Sequence, residues 1–183
     1  MSVTAYKYPG TVTTSNESGG AGEITDPNNV KVTDTSYAQV ATKNGSLYIR
    51  PYNFGFTSSN VPTGATIDGI EVVANKQQAM QPALDWKFYL RISTGRVGSN
   101  YASAVGWPDE LADVTYGGAT NKWGTTTELT QSEIVASTFG FDFACYSTGL
   151  LYCNINSFKI RVYYTEGGGG ISIPVLLCSL GEY

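Results

Sequence analysis

Three stretches of this chain alternate apolar and polar residues with a period of two. In residues 84–93, Leu84, Trp86, Phe88, Leu90 and Ile92 share one parity, while Asp85, Lys87, Tyr89, Arg91 and Ser93 take the other. Residues 139–146 set Phe139, Phe141, Phe143 and Cys145 against Gly140, Asp142 and Tyr146. Residues 158–164 set Phe158, Ile160, Val162 and Tyr164 against Lys159, Arg161 and Tyr163. Such alternation predicts antiparallel strands with one buried and one wet face. No long segment carries the 3.6-residue period of a helix. The fold expected is therefore all-β: an antiparallel β-sandwich, jelly-roll-like, with at most one short helix and extended terminal arms.

Weaker patterns fill in the rest. Residues 47–76 read as strand, loop, strand. Tyr48, Ile49, Tyr52, Phe54 and Phe56 favour a pleated surface, residues 57–66 are rich in turn formers, and Ile70, Val72 and Ala74 share a face. Apolar parity changes between Ile49 and Tyr52. Pro51 sits at the change, which predicts a bulge or an edge strand. Asn44-Gly45 predicts a hairpin turn between a strand starting near Tyr37 and the one starting at Leu47. Residues 94–113 read as a long loop, and 114–116 as a short strand. Thr130-Gln131-Ser132-Glu133 is a capping box, predicting one helical turn over 130–136.

Three segments follow. Residues 1–30 are polar and read as an N-terminal arm, with Asp26-Pro27-Asn28-Asn29 as a turn. Residues 31–166 form the sandwich, and residues 167–183 are a glycine linker plus an apolar C-terminal arm. In that arm Ile171, Ile173, Val175 and Leu177 share a strand parity, and Leu176 and Cys178 are apolar on the opposite side. A segment apolar on both faces behind four glycines is expected to dock on a neighbouring sheet edge. Ile171, Ile173, Val175, Leu176 and Leu177 are thus candidate assembly-interface residues.

Composition narrows the function. The 183 residues suffice for one domain burying roughly 70% of its unfolded surface without a metal or disulfide. The net charge of -4, with no Lys/Arg run, argues against nucleic acid as a partner. The longest apolar run, residues 171–180, is broken by Pro174 and too short to span a bilayer, so no membrane partner is expected. The opening MSVTAYKYPG lacks the apolar run of a secretory leader, and the three cysteines are expected as reduced thiols; a Cys145–Cys153 bridge is the alternative.

Histidine is absent. That removes Ser-His-Asp and Cys-His nucleophile systems and the common zinc sites, and no phosphate-binding glycine motif is present. No catalytic residue, metal site or cofactor is expected. What chemistry remains is a carboxylate pair among Asp109, Glu110 and Asp113 beside Trp107, for which a solvated acidic loop is the simpler reading. Tyr89, Tyr146 and Tyr163 are either a ligand platform or cross-strand packing partners.

The order of short motifs resembles a β-sandwich module of tailed-bacteriophage virion proteins. It begins with the turn formed by Pro62, Gly64, Ala65, Ile67, Gly69 and Ile70. It continues through Trp107-Pro108, Thr115-Tyr116-Gly117-Gly118, Trp123-Gly124, Glu133-Ile134 and Phe139-Gly140 to Val162-Tyr163-Tyr164-Thr165. The resemblance covers about residues 25–165 and departs at Thr25, where the module carries an aromatic. It implies a non-enzymatic virion structural protein: a capsid decoration (cement) or collar subunit that binds capsid, collar or tail proteins through its arms and sheet edges. By analogy it is a homo-oligomer, with a trimer as the first expectation. The alternative is a tail-fibre or receptor-binding sandwich recognising a host-surface glycan. Its loops 94–113 and 117–124 would then offer Trp107 and Trp123 as candidate glycan contacts.

Overall fold

A computed structural model describes residues 1–41, 45–79, 82–147 and 152–167. In chain order its strands are β1 (Ser2–Val3), β2 (Thr11–Ser15), β3 (Ile24–Thr25), β4 (Ala38–Ala41), β5 (Tyr48–Tyr52), β6 (Thr66–Gln78), β7 (Ala83–Ile92), β8 (Gly95–Val97), β9 (Ala112–Gly117), β10 (Gly140–Ser147) and β11 (Tyr152–Thr165). The helix α1 (Gln131–Val135) carries the expected capping box: Glu133 N donates to Thr130 Oγ1, and Thr130 N donates to Glu133 Oε2. One sheet runs β3-β4-β11-β6-β9, with β1 also paired to β11; the other runs β2-β5-β10-β7-β8. All strand pairs are antiparallel, so the molecule is the expected jelly-roll-like β-sandwich.

The core lies between the sheets, where the alternating parities meet. Ile70, Val72 and Ala74 of β6, with Phe158, Ile160 and Val162 of β11, face Phe88, Leu90, Phe141 and Phe143 of the other sheet, all without solvent exposure. Phe88 is the hub. Its ring centroid lies 4.7 Å from Tyr116, 4.9 Å from Trp123, 5.1 Å from Phe141 and 5.0 Å from Phe143.

Several expectations are corrected. The first thirty residues are not a free arm, because β1, β2 and β3 add to both sheets. The sequence TVTTS of β2 reads as polar because it is an edge strand that turns only Val12 inward. The hairpin expected at Asn44-Gly45 is not formed, because β4 and β5 belong to opposite sheets; Asn44 itself lies outside the described residues. Pro51 marks neither a bulge nor an edge, since β5 has β2 on one side and β10 on the other. Instead the β5–β10 ladder registers only at Tyr52–Gly140 and Ile49–Phe143, with the proline, which has no N–H to give, between them. The 94–113 loop contains β8, which pairs back on β7.

The largest correction is in β7. Ala144 pairs with Lys87 but Cys145 pairs with Asp85, leaving Trp86 as the extra residue of a β-bulge. A bulge reverses parity. Phe88, Leu90 and Ile92 point inward as expected, but N-terminal to the bulge Ala83 and Asp85 are buried, and Leu84 and Trp86 turn outward.

The first segment is held by β11. Thr4 N donates to Val162 O at 3.0 Å and Lys7 N to Ile160 O at 2.8 Å. Tyr6 OH donates to Glu71, which also accepts from Tyr163 OH and pairs with Arg161 at 2.8 Å. Burial and the Glu71 bond push the Tyr6 phenol up from 10.0 to about 12. A folded-state value above the unfolded one means that this contribution to stability is whole below pH 10.0 and is lost as pH rises toward about 12. In thermal melts across that window, Tyr6→Phe should flatten the decline relative to the unaltered protein; an equal slope in both would show that Tyr6 does not titrate there.

Candidate functional site

The outer face of the five-stranded sheet gathers charge in a chain that has little. Alternation along β5 turns Tyr48, Arg50 and Tyr52 outward. Alternation beyond the bulge in β7 turns Tyr89 and Arg91 outward, β10 contributes Asp142 and β8 contributes Arg96. Three of the four arginines in the sequence therefore meet on one carboxylate. Asp142 has no solvent exposure. Its Oδ1 accepts from Arg50 Nε at 2.8 Å; its Oδ2 accepts from Arg96 Nε at 2.7 Å and Arg91 Nη1 at 3.3 Å. Glu17, on the short 3-10 helix Asn16–Ser18, ties Arg50 at 2.7 Å to Arg96 at 2.9 Å. The Arg50 guanidinium beside Glu17 holds that carboxyl below its usual range. Arg96 also lies over the Tyr48 ring, 4.3 Å from its centroid.

A cavity of about 290 Å³ opens beside this cluster, lined by Thr13, Arg50, Tyr52, Arg91, Thr138 and Phe141. Its origin is visible in the register. Gly140 pairs with Tyr52 on one side and with Arg91 on the other. A glycine in the middle row sets no side chain between Tyr52 and Arg91, both of which line the cavity. Glycine is also required there, because a Cβ on Gly140 would lie 2.2 Å from Pro51 O. Arg91 is the loosest member of the cluster: its side chain is 31% exposed, against 14% for Arg50, and its one contact with Asp142 is the longest of the three ion pairs. Its remaining N–H donors are available to a ligand. The cluster joins three positive groups to two carboxylates, so a net positive charge faces this cavity.

Neither tryptophan proposed as a sugar contact presents a face to solvent. Trp107 is 3% exposed and donates Nε1–H to Asp85 Oδ1 at 2.7 Å; Trp123 is fully buried, donates to Ile70 O at 3.0 Å and stacks on Tyr101. Of the loop carboxylates, Asp113 pairs with Lys159 at 2.8 Å and accepts from Asn75, while Asp109 accepts from Gln78. Among the described residues no group of three or more His, Cys, Asp or Glu could hold a metal, and no helix is long and apolar enough to cross a membrane. The candidate interface residues Ile171, Ile173, Val175, Leu176 and Leu177 lie outside the described residues. Tyr89 belongs to the arginine face, near Arg96, whereas Tyr163 sits on the opposite sheet with Glu71.

The bulge in β7 creates a second polar cluster, inside the sandwich. Asp85 Oδ1 accepts from Lys76 Nζ at 2.5 Å and from Trp107 Nε1; Asp85 Oδ2 accepts from Tyr116 OH at 2.6 Å and from Ser103 N at 3.1 Å. Lys76 Nζ also donates to Tyr116 OH and lies 4.4 Å from the Trp107 ring centroid. Burial pushes the Lys76 amine down and the Tyr116 phenol up. Alongside, Cys145 of one sheet and Cys153 of the other are free thiols with sulfurs 3.3 Å apart. Their mutual hydrogen bond and burial push the Cys153 thiol up. Cys145 lies on β10 and Cys153 on β11, so the two thiols meet across the sandwich.

Fold and site together define an antiparallel β-sandwich with an arginine-lined cavity on one sheet face. No protein-family model matches the sequence, and no curated protein matches it. Among solved structures it is similar to the apo CBM1 module of BiXyn10A, at 8% identity over 89% of this chain and 99% of that one, with a TM-score of 0.47. It is similar also to the CBM22-1 xylan-binding domain of Paenibacillus barcinonensis Xyn10C, at 12% identity over 90% of this chain and 97% of that one, TM-score 0.43. A third is the enzymatically active domain of tailspike protein 4 of bacteriophage CBA120, at 8% identity over 88% of this chain and 19% of that one, TM-score 0.38.

Proposed function

We propose that this protein is a non-enzymatic glycan-recognition sandwich that takes a carboxylate-bearing sugar into the cavity over Gly140. The observation that carries the reading is Arg91: a guanidinium on a central strand, incompletely used by Asp142, lining the cavity with Tyr52 in the row that Gly140 leaves without a side chain. A planar fork of donors matches a carboxylate better than any neutral hydroxyl. The tyrosine supplies an apolar face for sugar C–H groups, and Thr13 and Thr138 supply hydroxyls at the rim. Of the carboxylates in the 94–113 loop, Asp113 is tied to Lys159 and Asp109 to Gln78, which suits binding rather than hydrolysis. The motif order that resembles tailed-phage modules supports a virion setting, with the ligand a host-surface glycan. A cement or collar role would instead rest on residues 171–177, outside the described part of the chain.

The test is a glycan array followed by calorimetric titration, comparing uronate- or sialate-containing oligosaccharides with neutral ones of equal length. Acidic ligands should bind and neutral ones should not. Arg91→Ala should leave the fold intact, because Asp142 keeps Arg50 and Arg96. It should remove a charge-assisted bond of about 2 kcal/mol, roughly thirtyfold in affinity. Equal affinity for neutral and acidic sugars, or an Arg91→Ala protein that binds as well as the unaltered one, would overturn the reading.

A further inference from the structure

Buried lysines are rare, and one enclosed with a carboxylate in an aromatic cage calls for an account. The Lys76 and Asp85 side chains are 2% and 0% exposed, and they come from opposite sheets, β6 and β7. Around them stand Trp107, Tyr116 and Phe143, with Lys76 Nζ 4.4, 5.1 and 5.5 Å from the three ring centroids. Neither charge is solvated by water in such a place, so the cost of keeping both ionised is high. A proton handed from the amine to Oδ2 through the Tyr116 hydroxyl that bridges them leaves an amine beside an acid, the reactants of an amide.

We propose that Lys76 and Asp85 condense into an intramolecular amide that covalently joins the two sheets. The surrounding groups are placed for that step. Lys76 Nζ attacks Asp85 Cγ, forming the N–C bond. The oxyanion that develops on Oδ1 is held by the Trp107 Nε1–H, which already donates there at 2.7 Å. Tyr116 OH bridges the nucleophile and the leaving oxygen, accepting from Nζ and donating to Oδ2 at 2.6 Å. One N–H proton passes to the tyrosine oxygen as the tyrosine's own proton passes to Oδ2. That oxygen departs with two protons as water, leaving Lys–NH–CO–Asp. One C–O bond breaks and one C–N bond forms; no oxidant, reductant or cofactor is involved. The lowered basicity of Lys76 and the firmly protonated Tyr116 suit these roles. The inference is independent of what the outer face binds.

The test needs no variant. Intact mass spectrometry of the purified, denatured full chain should give a mass one water below that of the sequence. Trypsin, which does not cut the Arg50–Pro51 bond, should then fail to cleave after Lys76, returning a single species spanning residues 44–87. A full sequence mass with normal cleavage after Lys76 would overturn the proposal and leave a plain buried ion pair. Two variants examine the chemistry. Asp85→Asn should lose ammonia in place of water, and Tyr116→Phe, which keeps the ring, should lower the cross-linked fraction. A fully cross-linked Tyr116→Phe protein would remove the tyrosine from the proton path.

Discussion

Replacing Asp142 with alanine is expected to destabilise the protein by about 3 kcal/mol, near the lower end of the cost of breaking a buried charge cluster. The carboxylate is fully buried and serves three guanidinium groups at once. Its loss leaves Arg50, Arg91 and Arg96 repelling one another across a few ångströms, with only Glu17 to neutralise them. The cost stays near the lower end because the arginine side chains keep some access to water, 14% for Arg50 and about 30% for the other two, and can partly rehydrate. The same substitution should open the cavity, since Asp142 sets the angle at which Arg50 and Arg91 face each other. Urea melts should show a lower midpoint with an unchanged slope. A midpoint within experimental error of the unaltered protein would mean that the arginines are held by solvent and Glu17 rather than by Asp142.

Phe88→Ala is expected to cost more, about 4–5 kcal/mol, at the upper end for a buried phenylalanine. The reason is the hub position: the ring meets Tyr116 and Trp123 from one side of the sandwich and Phe141 and Phe143 within its own sheet, all at edge-to-face angles. Each such pair adds about 0.5–1.5 kcal/mol beyond area burial, and the neighbouring rings are too rigid to collapse into the void. Against a typical stability of about 5–15 kcal/mol, the protein should be marginal at 37 °C. A loss below about 2 kcal/mol would mean that the surrounding rings repack after all.

What could be read from the sequence was local. Phe88 to Ile92, Phe139 to Cys145 and Phe158 to Tyr164 kept the parities that their alternation announced, and Thr130 and Glu133 formed their reciprocal cap. What could not be read depends on residues far apart in the chain. A single extra residue at Trp86 moved Asp85 from the wet face to the core, and no composition rule marks a bulge in an otherwise unbroken alternation. Trp107 fails as a candidate glycan contact for a related reason. An indole can be fully buried only if its N–H is satisfied, and its acceptor is that same Asp85. The strand β2 escaped notice because threonine-rich edge strands look like linkers. Asn44-Gly45 misled because a turn signal says nothing about whether the next strand returns to the same sheet. The arginine site was the least legible of all, since Arg50, Arg91 and Arg96 come from three strands and reach Asp142 from a fourth; only strand order and register bring them together. One signal was available: the outward parity of Asp142, shared with Arg91 on a neighbouring alternating strand, marked two opposite charges for the same face.

The central claim is that the sheet face over Gly140 binds an acidic sugar. It is tested most directly by adding a uronate- or sialate-containing oligosaccharide to isotopically labelled protein and mapping amide shift changes by NMR. The account predicts changes confined to the rows around Arg50, Tyr52, Arg91 and Gly140, saturating with ligand and absent with the neutral oligosaccharide. Changes centred instead on loops 94–113 and 117–124, or on the opposite sheet around Glu71 and Tyr163, would contradict it.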